Sequence, residues 1–166
     1  IGKGAEVDLA DTQGNTPLMV AAEGNAYMPN NAPVVAALLE ANPKVDAQDA
    51  RGRTALYRAA AEGKADAMRL LLEKKANPNQ KAIDGSTPLM AAVAGKVEAV
   101  TLLLENGADA NLADANGITP LTRAAEGDPK DVVNRYVGFV LERENAGAKP
   151  DDDIPGNLRP SFRHGD

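Results

Sequence analysis

One histidine, His164, and two serines, Ser86 and Ser161, are all the imidazole and serine hydroxyl in the chain, and cysteine is absent. Nucleophilic catalysis needs a nucleophile, a base and a group that orients the base. No Ser/His or Cys/His set can be assembled from this stock, so no catalytic residue is assigned. Carboxylates are plentiful, but Asp11, Asp49, Asp84 and Asp114 fall at turn or helix-end positions, where a short acidic side chain binds nearby backbone N–H groups. Asp151, Asp152 and Asp153 lack the spaced ligands of a calcium loop and read as a solvated tail. No glycine-rich phosphate loop leads out of a strand. The residues therefore require no metal and no cofactor, and they describe a chain that is not an enzyme.

The chemistry that remains is that of binding, and the elements that must position it repeat. The stretch from Asp49 to Asn79 reads turn, helix, turn, helix. Asp49 and Gly52 take the first and fourth places of a type I turn, and Thr54 caps a helix over Ala55 to Glu62 that Gly63 stops. Ala67, Met68, Leu70, Leu71 and Leu72 give a second helix its apolar side, and Asn77, Pro78 and Asn79 end it. Helices this short are marginal in water, so the unit must lean on copies of itself.

The copies are present. Thr-x-Leu recurs at Thr16, Thr54, Thr87 and Thr119, at intervals of 38, 33 and 32 residues, each time after a turn ending in Gly14, Gly52, Gly85 or Gly117. Pro17, Pro88 and Pro120 sit at the first helical position, where a missing N–H is no loss. The segments TPLMVAA, TALYRAA, TPLMAAV and TPLTRAA, together with ENGADAN at Glu105 to Asn111, resemble ankyrin repeats from about Gly4 to Asp151. The resemblance implies an all-α solenoid of stacked antiparallel helix pairs, with β-hairpin-like turns projecting from one edge. Stacking would account for Ala21-Ala22, Ala59-Ala60 and Ala124-Ala125, whose small side chains let inner helices approach.

The resulting organisation is a preceding-repeat tail and first hairpin over 1–15, repeats over 16–53, 54–86, 87–118 and 119–151, and a terminal cover or tail over 152–166. Because Gly4 to Asp8 aligns with Gly107 to Asn111, the first residues are expected to end a unit whose helices lie upstream, making the chain a piece of a longer protein. Ala26 to Pro33 is an insertion between the helices of the first repeat. Its prolines are expected to forbid helix there, with the outer helix resuming at Val34. Tyr27 and Met28 make it either a binding loop or a loop whose Tyr27 folds back over Leu38 or a neighbouring helix. Gly95 shortens the third inner helix by one residue, and Gly24 and Gly127 do the same in the first and fourth repeats. Val132, Val133, Tyr136, Val137, Val140 and Leu141 predict a long outer helix over 130–145, followed by a tail with Leu158 or Phe162 tucked in.

Aromatic residues are only 3% of a chain that is 43% hydrophobic, which suits thin Ala- and Leu-rich helical layers better than one large core. The net charge of −6 argues against general binding to nucleic acid or anionic membrane, and no apolar run reaches the length of a span. Without cysteine the redox compartment cannot be read, and the chain stands as a monomer or part of a larger chain.

In the resembled family, partners are proteins that meet the hairpin tips and the exposed side of the inner helices. Carried over by position, the partner-binding residues are Gln13, Asn15 and Met19 at the first turn and its inner helix and Arg51, Arg53, Tyr57 and Arg58 at the second. Asp84, Ser86 and Met90 follow at the third, and Asn116, Ile118 and Arg123 at the fourth. The family's common His after the Leu is replaced by Met19, Tyr57, Met90 and Thr122, which could leave an apolar, adaptable strip rimmed by Arg51, Arg53, Arg58 and Arg123. Alternatively, the methionines pack between repeats and the arginines face water. The expected function is a non-catalytic module that binds a protein partner on its concave face and hairpin tips. The alternative is a structural segment that packs against a neighbouring domain of its own polypeptide.

Overall fold

Four threonines start the inner helices. Thr16, Thr54 and Thr87 hold an extended backbone, and each hydroxyl accepts the N–H three residues on, from Met19 at 3.3 Å, Tyr57 at 3.2 Å and Met90 at 3.3 Å. Thr119 does the same for Thr122 at 3.2 Å. Each such cap satisfies a donor that the first helical turn would otherwise waste, and is worth about 1 kcal/mol. The computed structural model describes residues 6–25, 31–94, 96–126 and 138, and these contain seven α-helices and no strand. They are α1 (Pro17–Glu23), α2 (Ala32–Glu40), α3 (Ala55–Glu62), α4 (Ala65–Glu73), α5 (Pro88–Ala92), α6 (Val97–Glu105) and α7 (Pro120–Glu126).

The inner helices α1, α3, α5 and α7 stack in one row, and the outer helices α2, α4 and α6 stack in a second row behind them. Helix α3 spans the residues expected, and Gly63 ends it in the left-handed region at φ 66° and ψ 33°. Helix α5 stops earlier, at Ala92. The outer helices have no side-chain cap where α4 and α6 begin, so packing must hold them. The core is a seam between the rows. Leu18, Leu56 and Leu89 enter it from inside, and Val35, Leu39, Met68, Leu71, Val100 and Leu103 from outside. Ala22, Ala59, Ala60, Ala92 and Ala124 are buried within it, and Ala21 packs against its edge. Ala125, by contrast, is exposed.

Residues 26–30, with Tyr27 and Met28, lie outside the described residues, but the end of the link does not. Helix α2 begins at Ala32, not Val34, and takes in Pro33 within its first turn. Proline is tolerated there because the N–H it lacks would have no intrahelical acceptor. Asn31, buried just before it, donates its side-chain amide to the carbonyls of Ala21 at 2.8 Å and Ala22 at 2.9 Å, fastening the link to the end of α1. The expected long helix over 130–145 and the cover over 152–166 fall outside the described residues.

Candidate protein-binding surface

Between helix pairs the chain makes hairpin-like turns, each closed by its own backbone. In the second, Gly52 N–H donates to Asp49 C=O at 2.8 Å and Asp49 N–H to Arg53 C=O at 3.0 Å. Asp11, Asp49 and Asp114 hold the first position of three turns, and one carboxylate oxygen of each accepts the N–H groups two and four residues on. Successive turns are joined by single backbone bonds, Ala50 N–H to Gln13 C=O at 2.9 Å, Ile83 N–H to Arg51 C=O at 2.9 Å and Ala115 N–H to Asp84 C=O at 3.0 Å. The approach is close enough that Gly52, at φ 75°, is required. A Cβ there would lie 2.8 Å from Ile83 N.

A crevice of about 380 Å³ opens between the second and third turns, lined by Ala50, Arg51, Arg53, Tyr57, Ala82, Ile83, Asp84 and Ser86. Five of the residues expected from sequence, Arg51, Arg53, Tyr57, Asp84 and Ser86, thus meet in one place. Part of its lining is fixed by a polar chain. The buried Ser86 hydroxyl donates to Asp84 Oδ1 at 2.5 Å, so the Tyr57 hydroxyl, 3.1 Å from Ser86 Oγ, must be the donor to it. That Ser86 hydroxyl, with its backbone N–H, holds the Asp84 carboxyl below its ordinary range. Arg51 and Ile83 stand exposed at the rim.

The arginines divide by what they hold. Arg58, 8% exposed, reaches Asp49 Oδ2 at 2.6 Å and Glu23 Oε2 at 2.8 Å and also donates to the side chain of Asn15, tying the second repeat to the first. Arg53 grips Asp49 through Nε and a terminal nitrogen, both at 3.0 Å. Burial pushes the Asp49 carboxyl up, but hydrogen bonds from Arg53, Arg58 and Arg51 outweigh it and hold the group at about 2. Arg123 pairs with Asp114 at 2.8 Å. The Asp114 carboxyl is lowered by the Ile118 N–H first, and the Asp11 carboxyl by the Asn15 side chain.

These contacts correct the expected binding strip. Met19 and Met90 are 1% and 2% exposed, because a flexible thioether chain on the inner helix turns into the stack and fills it. Neither offers surface to a partner. Arg58 and Arg53 already hold the Asp49 carboxylate, and Arg123 holds that of Asp114, so they form no free basic rim. Gln13 and Asn116 are exposed at their turns, while Asn15 and Ile118 are half-buried beside Asp11 and Asp114, away from the crevice. Ile83 was missed by sequence reasoning. The signal was available, since the second turn position holds Thr12, Ala50 and Ala115 elsewhere and a large aliphatic residue only here.

Among the described residues no cluster of three or more His, Cys, Asp or Glu could hold a metal, and no helix is long and apolar enough to cross a membrane. The sequence profile of the family described as ankyrin repeats (3 copies) matches residues 1–82 and again 74–137. The chain belongs to the ankyrin-repeat family. Its similarity to ankyrin repeat domain-containing protein 63 of Homo sapiens is 39% identity over 84 residues, 51% of this chain and 22% of that protein. Inversin of Canis lupus familiaris is 38% identical over 89 residues, 54% of this chain and 8% of the relative. The chain thus matches less than a quarter of the length of these larger ankyrin-repeat proteins. Ankyrin repeats are generally non-enzymatic protein-interaction modules, and their partners are proteins.

Proposed function

We infer that this ankyrin stack binds a protein partner at the crevice between its second and third turns, with the adjoining inner-helix surface as a flank. The observation that carries the reading is the convergence of Arg51, Tyr57, Asp84 and Ser86 with the exposed Ile83 on one pre-formed concavity. Tyrosine and arginine are the residue types that most often dominate protein interfaces, and a rigid site spares the entropy of ordering loops on binding. Tyr57 is half-buried with its hydroxyl anchored, and Ile83 supplies apolar area that water covers poorly. Val20, exposed on α1, extends the apolar surface of the inner row.

The test is affinity selection from extracts of the source cells with the unaltered chain and three variants, each first verified as folded by circular dichroism. Ile83→Asp and Tyr57→Ala should lose the protein that the unaltered chain retains. Glu73→Lys, an exposed change at the end of α4, should retain it. Equal recovery on all of them rejects the crevice as the docking site.

A further inference from the structure

The third turn departs from its siblings at three consecutive positions. Where the others read Asp, Thr or Ala, and then Gln, Arg or Asn, this one reads Ala82, Ile83, Asp84. It has lost the carboxylate that accepts the turn's own N–H groups at the first position and placed one at the third, where it accepts only from Ser86 and its own backbone. Local stability gives no reason for the exchange, because the first-position aspartates each satisfy two backbone donors. All three altered residues line the crevice. On the facing turn, Arg51 is the one arginine among the described residues with no carboxylate, whereas Arg53, Arg58, Arg69 and Arg123 all have one. Arg51 and Ile83 are next to each other, joined by the backbone bond from Ile83 N–H to Arg51 C=O.

We propose that the crevice selects a protein segment carrying a single acidic side chain beside a branched aliphatic one, the carboxylate taken by Arg51 and the aliphatic group seated on Ile83 and Tyr57. This rests on the crevice being the docking site. A free guanidinium favours a carboxylate because its fork matches two oxygens at once. The charge around it limits the appetite to one. Asp84, on the third turn, lines the same crevice, and the chain as a whole carries −6, so a run of acidic residues would be repelled. An exposed isoleucine beside the guanidinium asks for an apolar neighbour of that carboxylate, within one or two residues in an extended segment.

A random linear peptide library displayed on phage, panned against the full chain, tests this directly. The selected sequences should share one Asp or Glu within two residues of Leu, Ile or Val. A synthetic peptide of that sequence, labelled and followed by fluorescence anisotropy, should bind Arg51→Gln at least tenfold more weakly and Ile83→Asp at least tenfold more weakly. Lys74→Glu, exposed at the end of α4, should bind unchanged. The Arg51 backbone bonds do not involve its side chain, so the Gln variant keeps the turn. Acid-free peptides that are lost on Ile83→Asp would overturn the inference and leave the crevice standing as the docking site. Peptides indifferent to Arg51, Ile83 and Tyr57 would overturn both, and an absence of any enriched motif would overturn the inference.

Discussion

Replacing Asp49 by Asn should cost the stack roughly 2 kcal/mol or more at neutral pH, and the loss should fade in acid. Asp49 is buried, and its carboxyl sits at about 2 in the folded chain against 3.8 for the free group. At about 1.4 kcal/mol per unit, that depression corresponds to roughly 2 kcal/mol of folding free energy. The sign follows from where the proton binds. The unfolded carboxyl takes up its proton first as pH falls, so the contribution is complete above about 4 and is lost as pH drops through about 2. Asn keeps an oxygen for the Arg51 and Arg53 N–H groups but turns an amide toward the Arg53 and Arg58 guanidiniums, leaving Arg58 charged and buried. Breaking a buried pair from one side costs ~3–5 kcal/mol, which sets the upper end. Urea unfolding followed by far-UV circular dichroism measures it. With a slope of about 1–3 kcal/mol per molar urea, the midpoint at pH 7 should fall by roughly 1 M, and the gap should narrow by pH 2.5. Coincident midpoints at pH 7, or a gap of constant size down to pH 2, would refute the reasoning.

Two further substitutions test the packing. Gly52→Ala should cost about 1–3 kcal/mol, since the residue sits at φ 75° and its new methyl would meet Ile83 N at 2.8 Å, and a thermal melt should show the drop. Leu56→Ala, at a wholly buried position of α3, should cost about 2–5 kcal/mol in the same urea titration.

How much of this was legible in the sequence depended on whether a position obeys its repeat or departs from it. Thr54, Gly63 and the Asp49–Gly52 turn behave as their types require, because capping, a left-handed stop and a turn bond are decided within a few residues. Pro33 lies within α2 and not before it because a proline breaks a helix interior but suits its first turn, and spacing alone does not say which turn is first. Of the candidate site, the residue types at the tips were readable and their freedom was not. Whether an arginine is available depends on carboxylates brought near by folding, and Arg58 meets Glu23 and Asn15 from a different repeat. The burial of Met19 and Met90 is likewise a property of the stack and not of the helix that carries them.

This division separates two kinds of positive charge that a sequence shows as one cluster. Arg53 and Arg58 neutralise a buried carboxylate, so changing them perturbs every equilibrium that depends on the fold, and a weakened partner would then say little about contact. Arg51 makes no such bond, and its side chain can be altered at almost no cost to stability, since exposed substitutions away from caps and pairs usually stay within ~0.5 kcal/mol. In a stack whose units stabilise their neighbours, that difference decides which variants are informative. A loss of binding on Arg51→Gln with an unchanged urea midpoint is evidence about an interface, whereas the same loss on Arg58→Met is evidence about the junction between the first two repeats.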